Sequence, residues 1–171
     1  SFVKDERDIQ EIKKIIKNKD IRIIAKIERN EAIKNIDKIT KVSDGLLVAR
    51  GDLGVEIGIE QLPAAQKFLI RKAISADKIA IVATQMMESM ITNSVPTRAE
   101  VFDVANAVTS GVDAIMFSAE TAIGKFPAEV ISEASRICVQ SEQAYIRPIS
   151  VDRVVPKTLP VDQVIALSAV Y

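Results

Sequence analysis

The residues able to do chemistry stand just past apolar runs. Lys26 and Glu28 follow Ile23-Ile24-Ala25, two positions apart. In an extended strand such residues project from one face, so a cation and a carboxylate stand side by side. On an open surface this is a solvated ion pair. At the end of so apolar a run, charge is costly unless it has a partner or a task. Asp52 lies within Arg50-Gly51-Asp52-Leu53-Gly54, again directly after an apolar run. Glycine there lets backbone approach a ligand closely, and consecutive N–H groups can cradle an anion. A structural turn capped by an aspartate would look the same. If Glu28 and Asp52 meet across adjacent strand ends, they offer two carboxylates to Mg²⁺, which keeps several waters and takes other ligands from substrate. Thr84 ends a third run and reads as a hydroxyl donor or as a strand-end cap. Ser118-Ala119-Glu120-Thr121 ends a fourth and either lines a site or caps a helix. Arg50 and Lys125 are candidate contacts for an anionic substrate, though exposed cations more often serve solubility.

The chemistry open to these residues is narrowed by composition. The 171 residues include no His. Ser-His-Asp and Cys-His nucleophiles, His-ligated zinc and His bases are therefore absent from this sequence. Lys plus Arg and Asp plus Glu each total 23, so the formal net charge is zero. That balance gives no electrostatic reason to expect nucleic acid or an anionic membrane as partner. The one cysteine, Cys138, precludes an intrachain disulfide framework and is compatible with a reducing cytoplasm. No apolar run approaches the ~20 residues of a membrane span, and no signal peptide is legible. The sequence opens on Ser1-Phe2-Val3, which reads as the end of a buried strand, and it is expected to be a segment of a longer protein.

The elements that must position these residues follow from periodicity. Strand-like runs cover 21–27, 45–49, 79–84 and 114–117. Their Ile, Val and Ala content suits strands buried on both faces. Amphipathic helical patterns cover 5–16, 31–42, 63–75, 97–110 and 127–143. Thr97 with Glu100 forms a capping-box signature, and Pro127 suits a first helical turn. Strand and helix in alternation predict βαβ units and a parallel sheet. No G-x-G-x-x-G follows the first strand and no phosphate-loop signature occurs, which disfavours nucleotide-binding sheets. Polar residues gathered at strand ends favour a barrel, whose sites sit on that face. Residues 149–160, with Pro156 and Pro160, read as a linker, and 161–170 as the start of another helix.

Taken together, these segments closely resemble the pyruvate kinase family. The resemblance rests on Ile23-Ile24-Ala25-Lys26-Ile27-Glu28, Ala49-Arg50-Gly51-Asp52-Leu53-Gly54, Ala83-Thr84-Gln85-Met86, Pro96-Thr97-Arg98-Ala99-Glu100 and Ser118-Ala119-Glu120-Thr121, in that order. It implies an α/β fold, a segment of a parallel (β/α)8 barrel comprising about strands 4–8, with Ser1 to Lys4 ending the fourth. Residues 1–147 would be the C-terminal part of the catalytic barrel, and 148–171 a linker and the start of a regulatory domain. The implied reaction is phosphoryl transfer from phosphoenolpyruvate to ADP, giving pyruvate and ATP, in a cytoplasmic homotetramer. By the same resemblance, Lys26 stabilises charge on the phosphoryl group and enolate oxygen, and Glu28 and Asp52 hold Mg²⁺ or Mn²⁺. The N–H groups of Gly51 and Asp52 grip the substrate carboxylate, and Thr84 serves protonation of the methylene carbon. The K⁺ and nucleotide contacts would lie largely outside this sequence. Lys4, Ser94 and Phe117 depart from the family's usual Arg, Pro and Leu without touching these groups. The alternatives are a Mg²⁺-dependent pyruvate-enolate carbon–carbon lyase, or a catalytically silent binding or assembly module. The isolated segment is expected to be inactive and to leave two sheet edges open.

Overall fold

The structure, a computed structural model, describes residues 1–18, 20–144, 161, 162 and 165. The expected linker at 149–160 lies outside them, as does most of the 161–170 pattern, of which 161, 162 and 165 are helical. Four parallel strands in the order β1-β2-β3-β4 form one sheet: β1 (Ile24–Ile27), β2 (Gly45–Ala49), β3 (Ile79–Ala83) and β4 (Ala114–Met116). Around them run α1 (Glu6–Ile15), α2 (Asn30–Lys34), α3 (Ile36–Val42), α4 (Arg50–Ile57), α5 (Leu62–Ser75), a 3₁₀ turn (Glu88–Ile91), α6 (Arg98–Thr109), α7 (Ala119–Ala122) and α8 (Pro127–Ala144). The alternation expected from the two periodicities is therefore present.

β1 is shorter than its apolar run because only part of that run finds a ladder partner. Ile24 pairs with Gly45, and Ile21, upstream of that register, is exposed. Side chains of alternating position then sort to two faces. Ala25, Ile27, Leu46, Val48, Ala80 and Val82 pack against the helix layer, where Ile39, Leu69, Ile70 and Val104 meet them. Full burial of one such leucine, Leu69, stabilises the fold by about 1.5–3 kcal/mol. The opposite face carries a smaller cluster of Leu47, Ala49 and Ala83 with Ile24 and Ile81, and it is the face shared by Lys26.

Two aspartates latch the N-terminal ends of the strands. Asp44 accepts from Ile23 N at 2.7 Å and Asp113 from Ala80 N at 2.8 Å. In each case the aspartate's own N–H donates back across the pair, to Ile23 O and Ala80 O. This reciprocal bonding fixes register where the strands begin.

Helix ends follow their local chemistry. Asp5 caps α1 by accepting from Arg7 N, and Thr97 and Glu100 complete the expected capping box on α6. The single helix read over 31–42 is two, broken at Asn35, whose ψ of 12° leaves the helical path. Residues 1–4, read as a strand end, form no strand. Phe2 has a φ of 56°, and its N–H donates to the Glu28 carboxylate instead of to a ladder. The described sheet thus has four strands, with β1 and β4 at its edges.

Candidate functional site

The parallel register decides what comes together. Ile27, Val48 and Val82 are level across β1, β2 and β3. The residues that follow them, Glu28, the stretch from Arg50 to Asp52, and Thr84, therefore emerge along one C-terminal edge of the sheet. Lys26 and Asp52, and Gly51 and Thr84, become neighbours for this reason.

At β1, Lys26 Nζ donates to Glu28 Oε1 at 2.6 Å, as their spacing two apart on one strand face requires. Glu28 is 1% exposed, and its other oxygen accepts from Phe2 N at 2.5 Å. Burial pushes the Glu28 carboxyl up, but the bonds from the Lys26 ammonium and the Phe2 N–H outweigh it. The carboxyl is held below the usual glutamate range and stays ionised. Asp52 Oδ2 lies 3.9 Å from the same Nζ on its more open side, with the side chain 58% exposed. One ammonium thus stands between two carboxylates, the first buried and the second facing solvent.

Asp52 owes its place to α4. The segment from Arg50 to Gly54, read from the sequence as a sharp glycine turn, is instead the first part of this helix. The strand passes into it through Ala49, whose φ of −90° and ψ of 86° make the bend. Ala49 offers no side-chain cap, so the first N–H groups of α4 need partners from elsewhere. Gly51 N finds one in Thr84 Oγ1 at 2.9 Å. A Cβ on Gly51 would sit 3.6 Å from that hydroxyl, so glycine keeps the space beside it open.

Thr84 is both brought in and strained. Its hydroxyl accepts from Gly51 and donates to Ala83 O at 2.6 Å. Its φ is 70°, and Gln85 follows at 52°. Left-handed backbone costs about 1–2 kcal/mol per non-glycine residue and is rarer still for a β-branched one. Two such residues in succession persist only where the surroundings hold them.

Arg50 supplies much of that hold, and here the structure corrects the expectation of an anion contact. The side chain is 8% exposed. Its Nε and Nη2 donate to Thr84 O at 3.0 and 2.7 Å, and Nη2 also donates to Gln85 O at 2.7 Å. Nη1 meets both oxygens of Asp103 at 2.8 and 2.6 Å. These contacts commit the buried guanidinium to Thr84, Gln85 and Asp103, turned away from any substrate in the open part of the site. Glu120 likewise caps and does not line a site. It is buried, accepting from Ser118 N at 2.8 Å and Met86 N at 3.2 Å. Lys125 is exposed, its backbone N–H donating to Ile91 O.

Asp103 and the Phe2 N–H were not legible as site groups. Asp103 lies inside α6, 53 residues from Arg50, with no local motif to single it out. The expected donor set for a divalent cation, Glu28 and Asp52, does converge around one ammonium. Among the described residues no group of three or more carboxylate or thiolate side chains forms a fuller cage. One buried and one exposed carboxylate are the hard oxygen donors that suit a cation taking its remaining ligands from water and substrate, and Glu28 would have to share with it an oxygen that now accepts from Lys26 or Phe2.

Comparison with known proteins bears on the same region. The family model described as "PK: Pyruvate kinase, barrel domain" matches residues 1–131. A "Pyruvate kinase" of Buchnera aphidicola subsp. Baizongia pistaciae is 53% identical over 135 residues, 79% of this chain and 28% of that protein. "Pyruvate kinase II" of Salmonella typhimurium is 51% identical over the same shares. The "Pyruvate kinase" of Leishmania mexicana is 46% identical over 175 residues, 99% of this chain and 35% of its own length. The chain therefore spans about a third or less of these curated relatives.

Proposed function

The chain belongs to the pyruvate kinase family, and from that premise we propose that the protein carrying it transfers the phosphoryl group of phosphoenolpyruvate to ADP, giving pyruvate and ATP. The observation that supports this best is the Lys26 ammonium, 2.6 Å from Glu28 and 3.9 Å from Asp52, on the sheet edge where Gly51 meets Thr84. Phosphoryl transfer needs positioning and concentrated positive charge more than covalent chemistry. Lys26 supplies a fixed cation beside the transferring group and the enolate oxygen. A divalent cation, Mg²⁺ or Mn²⁺, held by Glu28 and Asp52, would supply the rest of the positive charge. One ammonium against two carboxylates leaves a net negative charge, so the cluster favours a dication and through it an anionic substrate. The N–H of Asp52, at the positive end of α4, orients the substrate carboxylate, and that of Gly51, which donates to Thr84 Oγ1 in this structure, is shared with it when substrate arrives. Thr84 Oγ1, poised against Gly51 N, handles the proton at the methylene carbon by turning its own proton from Ala83 O toward the substrate.

In this proposal the described strands are drawn from strands 4–8 of a (β/α)8 barrel. Residues 1–147 belong to its C-terminal part, and 148–171 to a linker and the start of a regulatory domain. K⁺ and nucleotide contacts come from outside this chain, and the whole protein works as a cytoplasmic homotetramer. No helix among the described residues is long and apolar enough to cross a membrane. The test is a coupled assay of the full-length protein with phosphoenolpyruvate, ADP, Mg²⁺ and K⁺. ATP formation is expected. Carbon–carbon cleavage independent of ADP, without ATP formation, would reject the kinase in favour of a lyase.

A further inference from the structure

We propose that Arg50, anchored on Asp103, is a positioning residue that holds Thr84 and Gln85 in their left-handed turn and so sets the Thr84 hydroxyl for its work on the substrate. The functional part of this rests on the reaction proposed above, whereas the clamp itself rests on geometry alone.

Thr84 is gripped at two points by consecutive residues of α4. The Arg50 guanidinium takes its carbonyl through Nε and Nη2, and the Gly51 N–H takes its hydroxyl. The second carbonyl of the turn, Gln85 O, is held by the same Nη2 at 2.7 Å. The carbonyls of both left-handed residues therefore point at one planar cation, which defines the orientation of the peptide planes that follow them. Asp103 keeps that plane from rotating, since both its oxygens engage Nη1. A flat, delocalised fork can serve two carbonyls and a carboxylate at once, whereas a lysine ammonium of shorter reach cannot reproduce that arrangement. Met86 N, next along, is held separately by Glu120, so the turn cannot relax by sliding onward. With the guanidinium gone, nothing else described bonds to the Thr84 or Gln85 carbonyls, and the pair is free to return to the right-handed region. The hydroxyl would then swing away from Gly51.

The experiment uses the full-length protein with Arg50→Lys, Asp103→Asn and the double variant Arg50→Lys/Gln85→Gly. Three quantities are measured: deuterium exchange at the pyruvate methyl group, phosphoryl transfer to ADP with its KM for phosphoenolpyruvate, and hydrogen exchange of the Gly51 amide. Arg50→Lys is expected to slow methyl exchange by about 100-fold, the scale of a lost acid–base contribution, with a smaller loss in phosphoryl transfer and little change in KM. Asp103→Asn should move all three the same way but less. Glycine adopts φ near 52° without strain, so Gln85→Gly should restore part of the methyl exchange to Arg50→Lys. The Gly51 amide should exchange faster in Arg50→Lys than in the parent. Proportional loss of methyl exchange and phosphoryl transfer, with no recovery from Gln85→Gly, would reduce Arg50 to a structural ion pair and overturn the proposal. Unchanged kinetics in Arg50→Lys would overturn it as well. If the parent protein shows neither reaction, the proposed function fails, and an unchanged Gly51 amide in Arg50→Lys then refutes the clamp on its own.

Discussion

Replacing Lys26 by Met tests the centre of the site through stability and activity together. The ammonium is the nearest positive group to Glu28, 2.6 Å from Oε1, and Glu28 is 1% exposed. Met keeps the apolar stem but leaves a buried carboxylate with the Phe2 N–H and the neighbouring Asp52 carboxyl group, and no cation. Breaking a fully buried pair costs about 3–5 kcal/mol. Here the Lys26 side chain is 29% exposed and water can reach the vacated position. The loss should therefore fall to about 2 kcal/mol, the scale of a lost hydrogen bond to a charged group. Lys26→Met should thus unfold at lower urea, and Lys26→Met/Glu28→Gln should recover part of the loss by removing the unpaired charge. The double-mutant cycle then reports a coupling of about 1–2 kcal/mol. Turnover should fall by at least about 10²–10³-fold, the cost of removing one preorganised charge from a developing oxyanion. Urea titrations of the full-length protein and its three variants, with steady-state assays alongside, provide the check. A Lys26→Met protein as stable as the parent, or a double variant less stable than the single one, would refute the account of Glu28 as an ionised buried group neutralised by Lys26.

Two further outcomes follow. Gly51→Ala places a methyl 3.6 Å from Thr84 Oγ1 inside a helix. Stability should hold or rise by about 0.5–1 kcal/mol, while, if the proposed reaction holds, KM for phosphoenolpyruvate rises about tenfold, or about 1.4 kcal/mol of binding; thermal melts and kinetics on one sample separate the two effects, and an unchanged KM would remove Gly51 from the proposed binding site. For Glu100, burial pushes the carboxyl up, but bonds from Ser89 Oγ and N and from Thr97 N outweigh it and hold it below the usual range. Its stabilisation is therefore complete above the unfolded carboxyl value and is lost as pH falls through the lowered folded one. The stability gap between the parent and Glu100→Gln should be widest near neutrality and close on acidification. A gap independent of pH would show that the carboxylate's charge is immaterial.

Much of this site was legible because strand periodicity and parallel register are strict. A Lys and a Glu two apart after Ile23-Ile24-Ala25 must share a face, and in the structure they touch. Asp52 and Thr84 could be assigned to neighbouring strand ends because each directly follows an apolar run. The helix over Arg50–Ile57 was not legible, since glycine at 51, 54 and 58 masks a helix that begins without a side-chain cap. The strand expected at residues 1–4 failed for a related reason. Apolar residues state a wish for burial, and Val3 is indeed buried at 5%, but they do not say which backbone groups will pair.

Arg50 marks the deeper limit. From the sequence, a cation beside a glycine and an aspartate at a strand end looks like an anion contact, and its charge is correctly read. Its use depends on where carbonyls point after Thr84 and Gln85 turn left-handed, and on an aspartate 53 residues downstream. Neither φ sign at a non-glycine residue nor a long-range partner leaves a local signature. The two omissions are one fact seen from two sides, because the guanidinium meets the very carbonyls that the left-handed turn presents. A threonine held at φ 70° needs such an outside hold, so the strained residue is the better pointer to the clamp, and the clamp in turn explains why the strain persists at this edge.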